Sequence, residues 1–395
     1  MTGTPPTSEN KVRWTGWNWP FFEPRHRELA ARLAKHTPLH ATEPGTAAEL
    51  EKRARASLAE IAANGLLDIV VPQADERGER RIDVRALCLV REYLGYYDLL
   101  GDTMFSMQGI GTAALWMSGN PALQEQYLGP CRRGERIAAF ALTEPDTGSD
   151  AAAIATTARR DGDTFVLNGR KTYITNAGIA DHYMVVARTD EAPGARGLSL
   201  FMVDADTPGL QVGAPIDIIA PHPLAGLEFH DCKVPASHMI GSPGQGFKAA
   251  MATFDIFRAS VGAAGVGAAR RALDECVAHV KERHLFGKSM AELDGVRSRL
   301  ADMATDVDTA ALTVYRAAWA KDVTGERCAR EVSMAKLVGS EAATRVVDAA
   351  VQLFGGRGIT KGYIVEQLYR DVRGMRIYEG ASEVQRIIIA RSLLA

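Results

Sequence analysis

Hydrophobic residues recur at helical spacing over the first third of the chain. In "VRALCLVREYLGYY" the apolar positions Leu87, Val90 and Leu94 return every three or four residues, which is the period of one helix face. Similar spacing from about residue 24 to residue 130 predicts an N-terminal all-helical domain over residues 1–135. The three tryptophans of "WTGWNWPFF" precede it, and we expect them to pack on the first helices.

The pattern changes to short β-prone runs between residues 136 and 240. "TFVLNGRKTYIT" carries the pair Asn168–Gly169 between two such runs, which is a strong signal for a hairpin turn. "HYMVVAR", "LSLFMVD" and "GLEFHDCKVP" follow, each bounded by Gly, Pro or Asp. These stretches predict a small β-domain over residues 136–240.

Long amphipathic helices are predicted again from residue 241 to the end of the chain. Apolar side chains recur with the helical period at positions 296, 300, 303, 307, 311 and 314. Such helices bury their apolar faces against one another, so residues 241–395 are expected to form a bundle.

Composition and charge exclude several classes of function. The 46 basic and 48 acidic side chains of the 395 residues nearly cancel, so no overall field attracts nucleic acid or an anionic membrane. The five cysteines are scattered, without a close pair that would indicate a metal site or a redox dithiol. We expect a cytoplasmic protein, because the N-terminus shows no apolar signal region and no run of about 18 apolar residues occurs.

Two glycine-bearing stretches near the β-domain offer candidate binding groups. In "ALTEPDTGSD", Thr143, Gly148 and Ser149 provide hydroxyl and N–H groups that can hold an anion or simply form a turn. In "LNGRKTYITNAG", the ring of Tyr173 either stacks on a planar cofactor or packs in the sheet.

Two further stretches lie in the C-terminal helical region. Arg283 of "ERHLFGKSM" suits a pyrophosphate, or else complements the dipole at a helix end. Gly355 and Gly356 of "VQLFGGRGIT" either end a helix or let a phosphate approach the backbone. No G-x-G-x-x-G motif follows a predicted strand, so a Rossmann unit is disfavoured.

A single acid, Glu379, stands between an aromatic residue and a glycine in "RIYEGASEVQRIIIAR". The last predicted helix begins just after it. An acid here can complement the positive end of that helix. The residue type also suits a general base.

The order of these motifs resembles that of the acyl-CoA dehydrogenase family from about residue 85 to the end. The motifs are "ALTEPDTGSD", "LNGRKTYITNAG", "ERHLFGK", "QLFGGRG" and "RDVRGMRIYEGASEVQRIIIAR". The resemblance implies an α+β fold with an N-terminal helical domain, a middle small β-barrel or sandwich domain and a C-terminal four-helix bundle. It also implies FAD between the β-domain and the bundle, and a homotetramer built as a dimer of dimers.

The resemblance assigns expected contacts. The flavin or the thioester would be lined by Phe140, Leu142, Thr143 and Ser149, and the isoalloxazine covered by Tyr173, Ile174 and Thr175. The FAD of a neighbouring subunit would be reached by Arg283, Phe286, Gln352, Gly355 and Gly356. Ala381 and Glu383 are expected at the flavin, and Ser149, Asp255, Arg258, Tyr378 and Gly380 at the substrate. Asp255 and Arg258 can equally form an i,i+3 pair on a helix face.

Glu379 matches the family's catalytic base, which takes the weakly acidic α-proton of the thioester. Such a carboxylate needs a dry pocket, where burial raises its pKa. The Glu379 N–H would help to stabilise the enolate oxygen, while a hydride passes from the β-carbon to flavin N5. Some members carry the base at the position of Phe257, which cannot act as one, so Glu379 is the matching candidate.

Four residues depart from the family's usual pattern. Tyr173 stands where Trp is frequent, Ala381 and Glu383 replace Thr and Gln, and Asp294 replaces a Gln near the FAD adenine. We expect these changes to alter single flavin contacts and the retention of FAD rather than the reaction.

The implied activity is the α,β-dehydrogenation of an acyl-CoA, with electrons passed to an electron-transferring flavoprotein. One alternative is an acyl group on a carrier protein, which an excess of basic residues at the pantetheine entrance would favour. A second is a flavin oxidase or monooxygenase on the same fold, against which Glu379 argues. A third is a non-catalytic scaffold, which would be colourless.

Overall fold

The computed structural model describes residues 18–35, 44–190, 192–325 and 327–394. Five helices precede the first strand, namely α1 (Pro24–Lys35), α2 (Ala47–Ala63), α3 (Val84–Tyr97), α4 (Leu99–Ser118) and α5 (Pro121–Arg132). Short polar side chains set the starts of two of them. Thr46 and Glu49 form a reciprocal capping box at α2, and Asp83 caps α3.

Eight strands form one mixed sheet in the middle of the chain. They are β1 (Ala138–Ala141), β2 (Thr157–Asp161), β3 (Thr164–Thr175), β4 (His182–Arg188), β5 (Leu198–Asp204), β6 (Leu210–Pro215), β7 (Leu224–Pro235) and β8 (Met239–Ile240). The strand order is β6-β7-β3-β2-β4-β5-β8, and β1 pairs in parallel with β4. Strands β4 and β5 are buried along nearly their whole length, which explains their continuous apolar runs.

The hairpin predicted at Asn168–Gly169 is wrong. Strand β3 runs through both residues, and the chain reverses earlier, at Gly162–Asp163 between β2 and β3. The pairing of β3 with β7 shifts by one residue at Asn168. The Asn168 amide exchanges two hydrogen bonds with Asp231 of β7, at 2.9 and 3.1 Å. The extra residue at this shift belongs to β7, so the Asn-Gly pair lies within β3 opposite a bulge of β7 instead of forming a turn.

Five helices follow the sheet. They are α6 (Gly246–Glu282), α7 (Asp294–Thr324), α8 (Ala329–Phe354), α9 (Ile364–Arg373) and α10 (Ser382–Leu394), with a small hairpin of β9 (His284–Leu285) and β10 (Lys288–Ser289) after α6. The predicted fold class of helical N- and C-terminal parts around a β-region is confirmed. Within the ranges given above, no helix combines the length and apolar character needed to cross a membrane.

The chain divides into two compact units that do not follow chain order. The helical unit contains residues 18–35, 83–102 and 257–394 as far as they are described. The sheet unit contains residues 44–82 and 103–256, again as far as described. The domain boundaries at residues 135/136 and 240/241 stay predictions.

Small residues bring three helices of the helical unit close together. A Cβ atom on Gly267 of α6 would lie 2.0 Å from the carbonyl oxygen of Glu92 in α3. A Cβ atom on Gly262 would lie 2.5 Å from the carbonyl oxygen of Ala335 in α8. The "GAAGVGAAR" run of α6 therefore lets the backbones of α3 and α8 pack directly against it.

Trp19 belongs to the predicted tryptophan cluster, whereas Trp14 and Trp17 lie outside the described residues. Its ring lies edge-on to Tyr315 of α7, with the centroids 6.3 Å apart. It also makes an edge contact with Phe21. Trp19 thus packs against Tyr315 of α7, a contact that the sequence did not predict, and its packing on the first helices stays a prediction.

Candidate active site

Glu379 lies in a tight backbone corner between α9 and α10. It has a φ of +52°, and Gly380 follows with a φ of +86°, so two consecutive residues are left-handed. Five described residues other than glycine have a positive φ, and they include Tyr173 and Phe286, two predicted cofactor contacts. A bulky residue in this region is strained, and such strain concentrates at functional sites.

The Glu379 carboxyl group is poorly solvated and surrounded by charge. Its Oε2 is buried and has no hydrogen-bond partner among the residues that the structure describes. Burial raises the pKa of Glu379, while the cations of Arg91 and Lys336 oppose this rise. Further charges are Asp102, which raises the pKa, and Arg258, which lowers it. A carboxyl group with these properties holds a proton more readily than an exposed one, which suits a general base.

Arg91 of α3 exerts the largest charge effect on Glu379. It is buried and forms a bidentate pair with Asp102 of α4, with N–O distances of 2.9 and 2.7 Å. A third donor reaches Ser260 Oγ of α6 at 3.0 Å. This geometry fixes the plane of the guanidinium group. Our sequence reasoning missed both members of the pair, although charged residues inside the largely apolar run of α3, with Arg91 directly before Glu92, were a visible signal.

Two side chains hold the carbonyl oxygen of Gly380. Lys336 Nζ of α8 donates to it at 2.8 Å and Gln385 Nε2 of α10 at 2.7 Å. Both residues are fully buried. Burial lowers the pKa of Lys336 to about 8. Neither residue was predicted, because only the folded chain brings α8 to the start of α10.

Arg283 and Phe286 lie on the hairpin that follows α6. Phe286 and Gly287 form its two-residue turn, with φ values of +53° and +81°, which match the type I′ turn that short hairpins favour. The Phe286 ring is 92% exposed. Arg283 is also exposed. The hairpin therefore presents an aromatic ring and a cation to the outside of the unit.

Gly355 and Gly356 follow the last residue of α8. Both are exposed, as is the nearby Gln352. A Cβ atom on either glycine would meet no atom within 4 Å, and only Gly355 has a positive φ, of +59°. Packing within the described chain does not require glycine at position 356, so this stretch leaves the backbone open to an outside group.

The ends of α6 and α8 meet in the helical unit. His279 of α6 stacks on Phe354 of α8 with the ring centroids 4.2 Å apart. Burial lowers the pKa of His279, and the charges of Arg357 and Arg283 lower it further. The structure thus brings the third and fourth motifs together. It adds Arg357, which our sequence reasoning missed, to a pair of cations suited to phosphate.

In the sheet unit, the loop of residues 142–149 is tied to the end of β3. Lys171 Nζ donates to Glu144 Oε1 at 2.8 Å and to the Leu142 carbonyl oxygen at 3.0 Å. The Thr172 N–H donates to the carbonyl oxygen of Thr143 at 2.9 Å. The first two motifs are therefore also brought together, through a buried ion pair that our sequence reasoning did not identify.

A bulge in β3 turns Tyr173 outward. The register between β3 and β7 shifts between Lys171 and Ile174, and Tyr173 has a φ of +54°. Its side chain is 61% exposed, whereas Ile174 is buried in the unit itself. Tyr173 can offer a ring face to a ligand, which Ile174 cannot do in this arrangement.

The remaining predicted residues differ in burial. Phe140, Asp255 and Arg258 are buried, Leu142, Thr143, Thr175, Gly380 and Ala381 are partly buried, and Ser149, Tyr378 and Glu383 are exposed. Phe140 packs edge-on against Phe254, with centroids 5.5 Å apart.

In the helical unit, two cations, open glycines and an exposed ring suit a dinucleotide with a planar ring system. The exposed ring of Tyr173 in the sheet unit suits it as well.

The chain matches three family models along most of its length. They are the N-terminal domain of acyl-CoA dehydrogenase over residues 26–135, the middle domain over 139–232 and the C-terminal domain over 244–394.

Individual relatives match nearly end to end. The 3-(aryl)acrylate reductase of Clostridium sporogenes is 39% identical over 381 residues, covering 95% of this chain and 100% of its own. Butyryl-CoA dehydrogenase from Megasphaera elsdenii has a TM-score of 0.84 at 32% identity, covering 95% of this chain and 99% of its own. A chain in the structure of the electron transferring flavoprotein of Acidaminococcus fermentans also scores 0.84, at 34% identity with coverages of 94% and 98%. The protein therefore belongs to the acyl-CoA dehydrogenase family.

Proposed function

We propose that the protein dehydrogenates an acyl-CoA thioester between its α- and β-carbons to give the trans-2-enoyl-CoA. Glu379 is the base that removes the α-proton. The observation that carries this proposal is the Glu379 carboxyl group, which has a buried oxygen without a donor in the described chain and a pKa raised by burial. A base in this state has a free lone pair and a higher affinity for the proton than an exposed carboxylate.

The surrounding charges balance two requirements of a base. Burial alone would keep the carboxyl group protonated and therefore inactive. Arg91 and Lys336 oppose this effect and favour the ionised form of Glu379, which the proposed reaction needs. We also infer that the Glu379 N–H helps to stabilise the enolate oxygen that forms when the α-proton leaves.

FAD is the proposed cofactor, and when bound it would accept the hydride from the β-carbon. In the sheet unit, we assign its binding to the loop of residues 142–149 and to Tyr173. In the helical unit, Arg283, Arg357 and the glycines at 355 and 356 suit its phosphates. The guanidinium groups remain charged at any working pH and match phosphate geometry.

We infer that an electron-transferring flavoprotein receives the electrons. The similarity to a chain in the flavoprotein structure from Acidaminococcus fermentans supports this choice. Stopped-flow mixing of substrate-reduced protein with oxidised flavoprotein tests it. Rapid re-oxidation is expected, and a reduced protein that transfers electrons only to oxygen would contradict it.

A second candidate is the reverse reaction, the reduction of an unsaturated acyl group. The 39% identity to a 3-(aryl)acrylate reductase favours it. In this direction a protonated Glu379 delivers its proton to the α-carbon, and the raised pKa makes that form accessible. Chemically reduced protein mixed anaerobically with 3-phenylacrylate or its CoA thioester would then regain its oxidised flavin spectrum.

The decisive experiment is an anaerobic titration of the FAD-loaded protein with straight, branched and cyclic acyl-CoAs. One class is expected to bleach the flavin. Glu379→Gln should retain the yellow flavin and lose at least about 10³-fold in the rate of bleaching. The matched control is Glu125→Gln, the same change at an exposed position of α5, which should behave as wild type. A Glu379→Gln rate within tenfold of wild type would remove Glu379 as the base.

A further inference from the structure

We propose that Lys336 is a positioning residue for Glu379, which holds the left-handed corner at Glu379–Gly380 and keeps the neighbouring carboxyl group ionised. The proposal rests on the function proposed above. Lys336 does not touch the reacting atoms, since its hydrogen bond goes to the Gly380 carbonyl oxygen.

The geometry of the corner gives Lys336 a mechanical role. Its Nζ lies 2.8 Å from the Gly380 oxygen, and Gln385 Nε2 lies 2.7 Å from the same atom. A carbonyl oxygen has two lone pairs, so both are used. The two donors come from α8 and α10, and together they hold the backbone of Glu379 and Gly380. The φ values are +52° for Glu379, which is unfavourable for glutamate, and +86° for Gly380.

The hydrogen bond to the Gly380 carbonyl oxygen does not by itself require a charged donor such as Lys336. Gln385 shows that a neutral donor serves the same carbonyl. An ammonium group without exposed surface is costly unless an anion compensates for its lost hydration. The anion with the largest effect on Lys336 is the Glu379 carboxylate. We therefore assign the charge to the stabilisation of ionised Glu379.

The other charges near this pair come from several elements. Around Glu379 they are Arg91 of α3, Asp102 of α4 and Arg258 of α6. Around Lys336 they are Arg258, Glu341 of α8 and Glu383 of α10. Arg91 has the largest charge effect on Glu379 and Lys336 the second, but Arg91 is bound in bidentate fashion by Asp102, whose charge acts on Glu379 in the opposite direction. Lys336 donates instead to the neutral carbonyl oxygen of Gly380, and we assign to it the control of the state of Glu379.

The test needs no substrate and separates charge from hydrogen bonding. Lys336→Met removes both. Gln385→Met removes a neutral donor to the same oxygen, together with a longer hydrogen bond of 3.5 Å to the carbonyl oxygen of Glu379. Infrared spectra of the FAD-loaded protein are recorded over a range of pH, and the protonated-carboxyl band of Glu379 is identified by its loss in Glu379→Gln. Lys52→Met, at an exposed position of α2, controls for the change in net charge.

Lys336→Met should move the midpoint of the Glu379 band to higher pH by about one unit or more. Gln385→Met and Lys52→Met should leave it in place. Hydrogen exchange in residues 374–386 should accelerate in Lys336→Met and Gln385→Met, because each substitution removes a hydrogen bond to the Gly380 carbonyl oxygen. If Lys336→Met does not fold, Lys336→Gln keeps a donor without the charge and should show the same shift.

An unchanged midpoint in both Lys336 variants would overturn the proposal. So would an equal shift in Gln385→Met, because the effect would then come from geometry alone. A failure of the proposed function would give a different set of results from a failure of this proposal. In that case the midpoint moves as expected, but no acyl thioester bleaches the wild-type flavin and no unsaturated acyl group re-oxidises the reduced protein.

Discussion

At the scale of single residues, Glu379 combines three features that are unfavourable for the stability of the folded chain. Its backbone is left-handed, its Oε2 lacks a donor among the described groups, and burial raises its pKa. Each feature suits proton transfer, and each also costs stability. The residue proposed for the chemistry is therefore one at which substitution should strengthen the fold.

Glu379→Gln should raise the thermal midpoint of the FAD-loaded protein by about 2 to 4 °C at neutral pH. The pKa of Glu379 is higher in the folded than in the unfolded chain, so the ionised form carries the cost. This cost is fully present above the folded pKa and shrinks as the pH falls from the folded pKa towards the lower pKa of the unfolded chain.

Thermal scans at a fixed rate from about pH 8 down to about pH 5 measure this linkage. The advantage of Glu379→Gln should be largest at the alkaline end and should shrink towards the acidic end. A difference in thermal midpoint between the two proteins that stays constant with pH would mean that Glu379 has the same pKa in the folded and the unfolded chain.

At the scale of elements, two glycines after α8 have opposite roles although they lie two positions apart. A Cβ atom on Gly358 would lie 2.2 Å from the carbonyl oxygen of Val351, so this glycine is required by packing. A Cβ atom on Gly356 would meet nothing within 4 Å. If Gly356 has a requirement, it comes from a group outside the described chain.

Gly356→Ala should therefore leave the stability of FAD-free protein within about 0.5 kcal/mol of wild type. It should weaken FAD binding about tenfold or more, because a methyl group would stand where the phosphates approach. Gly358→Ala should lower the stability of FAD-free protein by about 1 to 3 kcal/mol through overpacking. Fluorescence titration with FAD and thermal scans measure both quantities. Unchanged FAD affinity in Gly356→Ala would move the phosphate site elsewhere.

At the scale of the whole molecule, the exposed hairpin and the open glycines support a composite site. The Phe286 ring is 92% exposed and lies three positions after the exposed cation Arg283. Arg283 and Arg357 lie near the same end of the helical unit. We propose that this end reaches the FAD of a neighbouring subunit in a homotetramer.

Mixing two defective subunits tests this arrangement. Arg283→Ala should weaken FAD retention, and Glu379→Gln should abolish flavin reduction. In a mixed dimer one site combines an intact Glu379 with an intact Arg283 from the other subunit. When equal amounts of the two variants reassemble at random, half of the dimers are mixed, and each mixed dimer has one intact site of two. Activity at limiting FAD should therefore return to about a quarter of wild type. Mixed oligomers confirmed by mass spectrometry that stay inactive would place Arg283 at the FAD of its own subunit.

The sequence predicts the helix, strand and helix order because the hydrophobic periods are local properties. Glu379 is found through a motif. Arg91 and Lys336 were missed because their importance comes from burial next to Glu379, which depends on how α3 and α8 pack on α6. The hairpin prediction at Asn168–Gly169 failed for the same reason, since the partner of Asn168 is Asp231 of β7, which is 63 residues away and pairs with it inside the sheet.

Helix α8 carries Lys336, which contacts the corner of Glu379, and it ends at the glycines proposed to meet a neighbour's FAD. Gly355 lies 19 positions after Lys336, which corresponds to about 28 Å along the helix. In the proposed homotetramer, α8 would rigidly connect the base of one catalytic centre to the cofactor of another. A shift of α8 along its axis would then disturb both centres together and give such an assembly a route for communication between subunits.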